Sequence, residues 1–376
     1  MVRRRNSCTT PGVSRASAVV LLALVATVGC GNDAGNGPGY LQTNLASNVA
    51  GKASFTDPNL VNAWGIARQQ TGPWWVVANH TGVTSVYDGQ GNPIPTAADP
   101  LVVTIPPPAD SPPGTASSPT GIVANTTAGF IVTDGAVSAP AAFIFSTEDG
   151  TIAGWNQTVN PTQAILTVDN SAANAIYKGL AIAIDQTDTF IYASNFHAGT
   201  VDVFDRTFTP ATLTGSFTDP NLPTGYAPFG VQNINGDLFV TYAKQDANKE
   251  DDVKGLGNGY VDVFAADGTL VRRFTSKGQL NSPWGVVQSP ISFGAFGGSI
   301  IIGNFGDGHV NAFNPIGGTF LGQLNRPTGG SVSIAGLWGL AFGNGSVAGS
   351  IDTLYFTAGP SNESGGLFGS LTSVEQ

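Results

Sequence analysis

Apolar residues in this chain gather in short runs bounded by Gly, Asn, Asp and Pro, and no stretch holds them at a 3.6-residue spacing. The runs are rich in Val, Ile, Phe, Tyr and Thr, so they predict strands and no long helix. One phrase recurs: a bulky or polar residue, Gly, then an apolar strand. It reads Trp64-Gly65-Ile66, Thr120-Gly121-Ile122, Lys178-Gly179-Leu180, Phe229-Gly230-Val231, Trp284-Gly285-Val286 and Trp338-Gly339-Leu340. Successive glycines are 56, 58, 51, 55 and 54 residues apart. The hexapeptide FTDPNL, at 55–60 and again at 217–222, is offset by 162 residues, three times 54, and so marks equivalent connections three repeats apart.

Three more strand-like runs accompany each phrase. The second strands are WWVVAN, AAFIFST, FIYASN, DLFVTYA, SIIIGN and TLYFTA. The third begin at GVTSVYD, GTIAGWN, GTVDVFD, GYVDVFA, GHVNAFN and GGLFGSL. The fourth are LVVTI, AILTVD, LTGSF (213–217), LVRRF and FLGQL, and the sixth repeat has none before the chain ends. Four strands per roughly 55-residue unit, six times over, predict an all-β fold: a six-bladed β-propeller of four-stranded antiparallel blades. Residues 40–47, YLQTNLAS, are free to supply the missing strand and close the ring, which leaves no open sheet edge between first and last blades. The recurring Gly then belongs on the innermost strand, where blades converge, and Trp64, Phe229, Trp284 and Trp338 pack between blades.

The N-terminus follows another logic. Arg3, Arg4, Arg5 and Arg15 precede an uncharged apolar run, Ala16 to Val28, too short to span a bilayer comfortably. Residues 1–30 therefore read as an export signal, and Gly29-Cys30 resembles a lipoprotein cleavage site with Cys30 as the lipidated residue, although Thr27 departs from the usual Leu. The expected organisation is a lipoprotein-type signal (1–30), a Gly/Asn tether (31–39), the propeller (40–371) and a short tail (372–376). The expected location is the bacterial cell envelope, lipid-anchored or periplasmic, touching membrane only through the anchor.

Composition adds 50 Gly, 24 Pro and 11% charged residues, with 15 basic against 25 acidic side chains and a net charge of −10. Loss of residues 1–30 removes four basic residues and no acidic one, giving 11 − 25 = −14. Such a surface repels nucleic acid and anionic membrane. The expected partner is an extracellular or periplasmic ligand or protein met by a monomer.

The motifs NLVNAWGIA, GPWWVVAN, STEDGTIAGWN, YKGLAIA, NGYVDVF, SPWGVV, GNFGDG and LYFTAGP resemble an exported bacterial propeller family of unknown function, distantly similar to NHL-repeat and gluconolactonase-type propellers. The resemblance covers nearly all of residues 40–371. It implies the six-bladed fold and no established activity, so function rests on the site.

Loops after the second strands should ring one mouth of the channel. They carry Asn79-His80, Glu148-Asp149, Asn195 with His197, the excursion from Lys244 to Asn258, Asn304 with Asp307, and Glu363, and Lys178 should point to the same mouth. Each loop residue is also an ordinary turn residue, and Lys178 is more simply the salt-bridge partner of Glu148 or Asp149. Converging carboxylate and amide oxygens of Asn79, Glu148, Asn195, Asn304 and Glu363 could hold Ca²⁺, and His80 or His197 could act as general base on bound water. Against that, there is no Gly-x-Ser-x-Gly elbow, no His-Glu-x-x-His, no zinc-spaced Cys pair and no phosphate loop. The sequence thus supports a binding or scaffold module first and a metal-dependent hydrolase or lactonase second, and leaves open whether the protein is an enzyme.

Overall fold

A computed structural model describes residues 38–374 apart from Thr187. The signal, Cys30 and most of the tether lie outside the described residues. Six small antiparallel sheets form a six-bladed β-propeller. The innermost strands are Ala63–Arg68, Pro119–Ala124, Tyr177–Asp185, Tyr226–Ile234, Pro283–Gln288 and Leu337–Phe342.

Gly39–Ser47 lies antiparallel to Leu367–Val374 and completes the sixth blade, so the ring closes as expected. Both strands run slightly past the expected limits, from Gly39 and to Val374. Phe55–Thr56 then adds a short parallel pairing to the outside of this blade.

The glycine phrase has its steric reason. A Cβ on Gly65 would stand 2.3 Å from the Thr120 carbonyl oxygen, and one on Gly230 would stand 2.2 Å from that of Trp284, in each case the backbone of the next blade's innermost strand. In four blades a hydroxyl on the second strand accepts the N–H of this glycine: Ser146 for Gly121 (3.2 Å), Ser194 for Gly179 (2.7 Å), Thr241 for Gly230 (2.8 Å) and Thr357 for Gly339 (2.9 Å). A buried donor that the ladder leaves over is thereby satisfied.

The duplicated hexapeptide builds one turn twice. Asp57 accepts the Asn59 N–H on its carboxylate (2.9 Å) and the Leu60 N–H on its carbonyl (3.1 Å). Asp219 does the same for Asn221 (2.8 Å) and Leu222 (3.1 Å). Their remaining carboxylate oxygens differ: Asp57 takes the Tyr87 hydroxyl, whereas Asp219 binds Arg273, which also binds buried Asp262.

Blade 3 departs from the expected four strands. Its sheet stops at Thr200–Phe204, and Leu213–Phe217 forms no strand. That segment is held by the next blade, with the N–H groups of Gly215 and Phe217 bonding to Asp267 and Gly268. Gly215 sits so close to Gly268 that a Cβ there would overlap its backbone at 2.1 Å. Pairing with the neighbouring turn outcompetes pairing with its own sheet.

Candidate functional site

The mouth where the innermost strands begin is floored by aromatic rings. Trp338 stacks on Trp64 at 3.6 Å and on Phe305 at 3.8 Å, and Phe229 and Trp284 pack against the same indole. Phe196 adjoins Phe229 at 5.3 Å. Four of these six rings come from the recurring phrase. The other two, Phe196 and Phe305, occupy equivalent places at the ends of second strands. The residues facing the apolar position of the phrase are Val76, Phe145, Ala193, Val240, Ile302 and Phe356. Three residues further along stand Asn79, Glu148, Phe196, Ala243, Phe305 and Gly359.

A polar cluster lies over this floor. Lys178, where other blades carry an aromatic or Thr, is buried with its ammonium 5.5 Å from the Trp64 ring centre and 5.8 Å from that of Phe196. It binds Glu148 closely and Asp251 at 3.4 Å. Burial pulls the Lys178 pKa down, but Glu148 and Asp251 outweigh it and hold the ammonium above its usual range. Asn79 Nδ2 donates to the other Glu148 oxygen (2.8 Å), Asn62 Nδ2 donates to Glu363 (2.8 Å) and to Asn79 (3.3 Å), and Trp338 Nε1 donates to Asn62 (3.1 Å). Glu363 is raised above the usual carboxylate range, by burial first and then by the charge of Glu148, against the pull of Asn62, Lys178 and His80.

The long blade-4 loop folds onto this cluster. It follows Ala243, which with Gly359 is one of the two second-strand ends that give the mouth little or no side chain. Gln245 donates to the Phe196 carbonyl (2.6 Å), Lys254 Nζ stands 4.0 Å above the Phe305 ring, and the Gly255 N–H bonds Asn281 (2.7 Å). Asp252, largely buried with one oxygen unpartnered, is raised by that burial.

The candidates therefore separate. Asn79, Glu148, Lys178 and Glu363 come together, with exposed His80 near Glu363. Asp149 turns to the Ser118 N–H (2.6 Å), and burial raises its carboxyl. Asn195 bonds Asp202 and the Ala198 N–H, and Asn304 and Asp307 bond each other and the turn around Gln279 and His309. Lys244 is exposed at the loop's root and His197 is half-buried with Nδ1 unpartnered. Asn62 was not marked by the sequence, and Asp251, Asp252 and Lys254 were marked only as part of the loop from Lys244 to Asn258. Asn62 could have been suspected from its place just before Trp64, but nothing in the letters distinguishes the acids of the loop.

The donor set does not fit a hard cation as arranged. Both Glu148 oxygens are engaged, one by an ammonium standing where the cation would, and Glu363 already accepts from Asn62. Among the described residues no three His, Cys, Asp or Glu side chains converge on one point.

Fold and mouth together define a six-bladed propeller with a sealed, lid-covered channel entrance. By sequence the chain belongs to the same family as two proteins of Acanthamoeba polyphaga mimivirus. To uncharacterized protein R648 it is 34% identical over 304 residues, 79% of this chain and 72% of the relative. To uncharacterized protein L690 it is 33% identical over 334 residues, 87% and 84% respectively. These viral relatives overturn the expectation of a bacterial family. No protein-family model matches the chain. A solved protein of unknown function from Bacteroides thetaiotaomicron superposes with a TM-score of 0.52 at 9% identity, over 90% of this chain and 76% of that one, and shows the fold alone.

Proposed function

We propose that this protein is a binding module, a rigid propeller that presents its lid-covered mouth to a ligand or protein partner. The observation that carries this reading is that the central polar side chains of the mouth, over Trp64 and Trp338, are spent on one another above a closed aromatic floor. Lys178, Glu148, Asn79, Asn62 and Glu363 form one connected chain of bonds. Such a network rigidifies a surface and leaves no nucleophile–base pair facing an open cavity. The lid's exposed tip carries Glu250 and Asp251 beside Lys249. This favours a cationic partner. Calorimetric titration with an arginine octapeptide tests it: wild type should bind, and Glu250→Gln with Asp251→Asn should weaken binding at least about tenfold. Turnover of a lactone or ester by the purified protein would overturn the reading. Export belongs to the same proposal through residues 1–30, and the N-terminal mass of the mature protein tests it.

One observation favours a second reading, hydrolysis. Glu148 is tied to an ammonium while nearby Glu363 is pushed toward its protonated form, and two carboxyls with divergent environments suit acid–base work. In this reading Glu363 is the general acid, without a metal. A panel of lactones and esters assayed with wild type and Glu363→Gln decides it. Melting with EDTA and then Ca²⁺ should give no shift, given the donor set described above.

A further inference from the structure

At the opposite end of the channel the innermost strands diverge around a cavity of about 610 Å³, within the range of ligand sites. A second cavity of about 420 Å³ continues it outward between blades 4, 5 and 6. Gln232, Asn233, Asn235 and Gln288 line both, making one groove from the axis to the rim.

The lining contains no Asp, Glu, Lys or His, although the whole chain carries 25 acidic residues. Its one charged side chain, Arg68, is a strut that donates to the carbonyls of Phe342 (2.8 Å) and Gly343 (3.1 Å) and lies over Trp74. The exposed Gln232 side chain makes no hydrogen bond. Asn235 and Gln288 spend one bond on each other (2.7 Å), leaving an amide oxygen on one and an amide nitrogen on the other. The flanking innermost strands are terminal in their sheets, so their channel-side backbone groups have no strand partner. Trp74 is fully buried and Phe342 nearly so, and no aromatic face is offered for stacking a sugar or a base. Aliphatic surface is offered instead, by Val287 and by Ile351, which is 53% exposed.

We propose that this groove binds an extended peptide segment without charged side chains. Its main-chain amides pair with the side-chain amides of Gln232, Asn235 and Gln288 and with strand-edge groups other than the Phe342 and Ile182 carbonyls, which Arg68 and Asn233 already occupy, and its aliphatic side chains rest on Val287 and Ile351. Uncharged amides match a peptide backbone donor for acceptor, and a wall whose one charge is already spent on two carbonyls leaves any buried charge on the peptide unpaired.

The test is fluorescence anisotropy of full-length protein against labelled octapeptides of Ser, Asn, Val and Ile, alone and with a central Glu or Lys. Neutral peptides should bind, and either charge should weaken binding at least about tenfold. Gln288→Glu should do the same. Ile351→Asp, a surface change that leaves folding intact, should also weaken binding, whereas Asp251→Asn on the far face should leave it unchanged. The proposal is overturned if no neutral peptide binds, if charged peptides bind equally, if Ile351→Asp has no effect, or if maltohexaose competes. Because Asp251→Asn acts only at the mouth, failure here is distinguishable from failure of the lid-side reading.

Discussion

Lys178 and Glu148 form an ion pair between blades 3 and 2, with the lysine side chain only 3% exposed and the glutamate 25% exposed. Removing one partner strands the other. Lys178→Met should therefore cost about 2–4 kcal/mol in denaturant unfolding, and adding Glu148→Gln should recover most of that loss. A single mutant as stable as wild type would show the pair to be dispensable.

Stability should carry a distinct pH signature from blade 4. Burial, opposed by Arg273 and reinforced by Asp219, raises the Asp262 carboxyl from 3.8 to about 6. A raised carboxyl binds its proton more tightly in the folded state, so its contribution is complete below pH 3.8 and is lost as pH rises to about 6. Asp262→Asn should remove a slope worth up to about 3 kcal/mol across that window. Urea midpoints measured at half-unit pH intervals check it.

The glycine ring should be intolerant of a single methyl group. Gly230→Ala would drive its Cβ against the Trp284 carbonyl, and a loss of about 2–4 kcal/mol or failure to fold is expected. The hydroxyl supports should be milder. Thr357→Val leaves the Gly339 N–H without its acceptor and should cost about 1–3 kcal/mol by thermal or urea melting.

The architecture was legible because it is written six times. Period, phrase and the closing strand could all be read from spacing, since each blade must bury the same faces and meet the same crowded axis. The site was legible only where register could be judged. Asn79, Asn195 and Asn304 look equivalent as the closing letters of WWVVAN, FIYASN and SIIIGN. Counted from the residue facing the innermost strand, Asn79 falls at the third place and the other two at the second. One step in a strand reverses the face. Asn79 therefore reaches Glu148, while Asn195 and Asn304 turn away to build local turns and yield their places to Phe196 and Phe305. The LTGSF run failed for another reason: its competitor was a turn in the next blade, and no local pattern reports such a rivalry.

Closing the ring should be required for solubility. A chain beginning at residue 48 lacks Gly39–Ser47 and bares the full edge of Leu367–Val374. It should elute as aggregates in size-exclusion chromatography with light scattering, and a synthetic 38–47 peptide should restore the monomer. A monodisperse truncated chain would refute this.

That same joint sets a timetable during synthesis. The strand from Gly39 to Ser47 leaves the ribosome among the first folded residues, yet its partner, Leu367–Val374, is among the last made. For nearly the whole of translation the first strand has only its short pairing with Phe55–Thr56, and the blades already made stand as an open arc. Nascent chains arrested before residue 367 should accordingly be cut by protease near their N-terminus, and those released after Val374 should resist. The protein cannot complete its fold piecemeal as it emerges, and it relies on whatever shields an unpaired edge until synthesis ends.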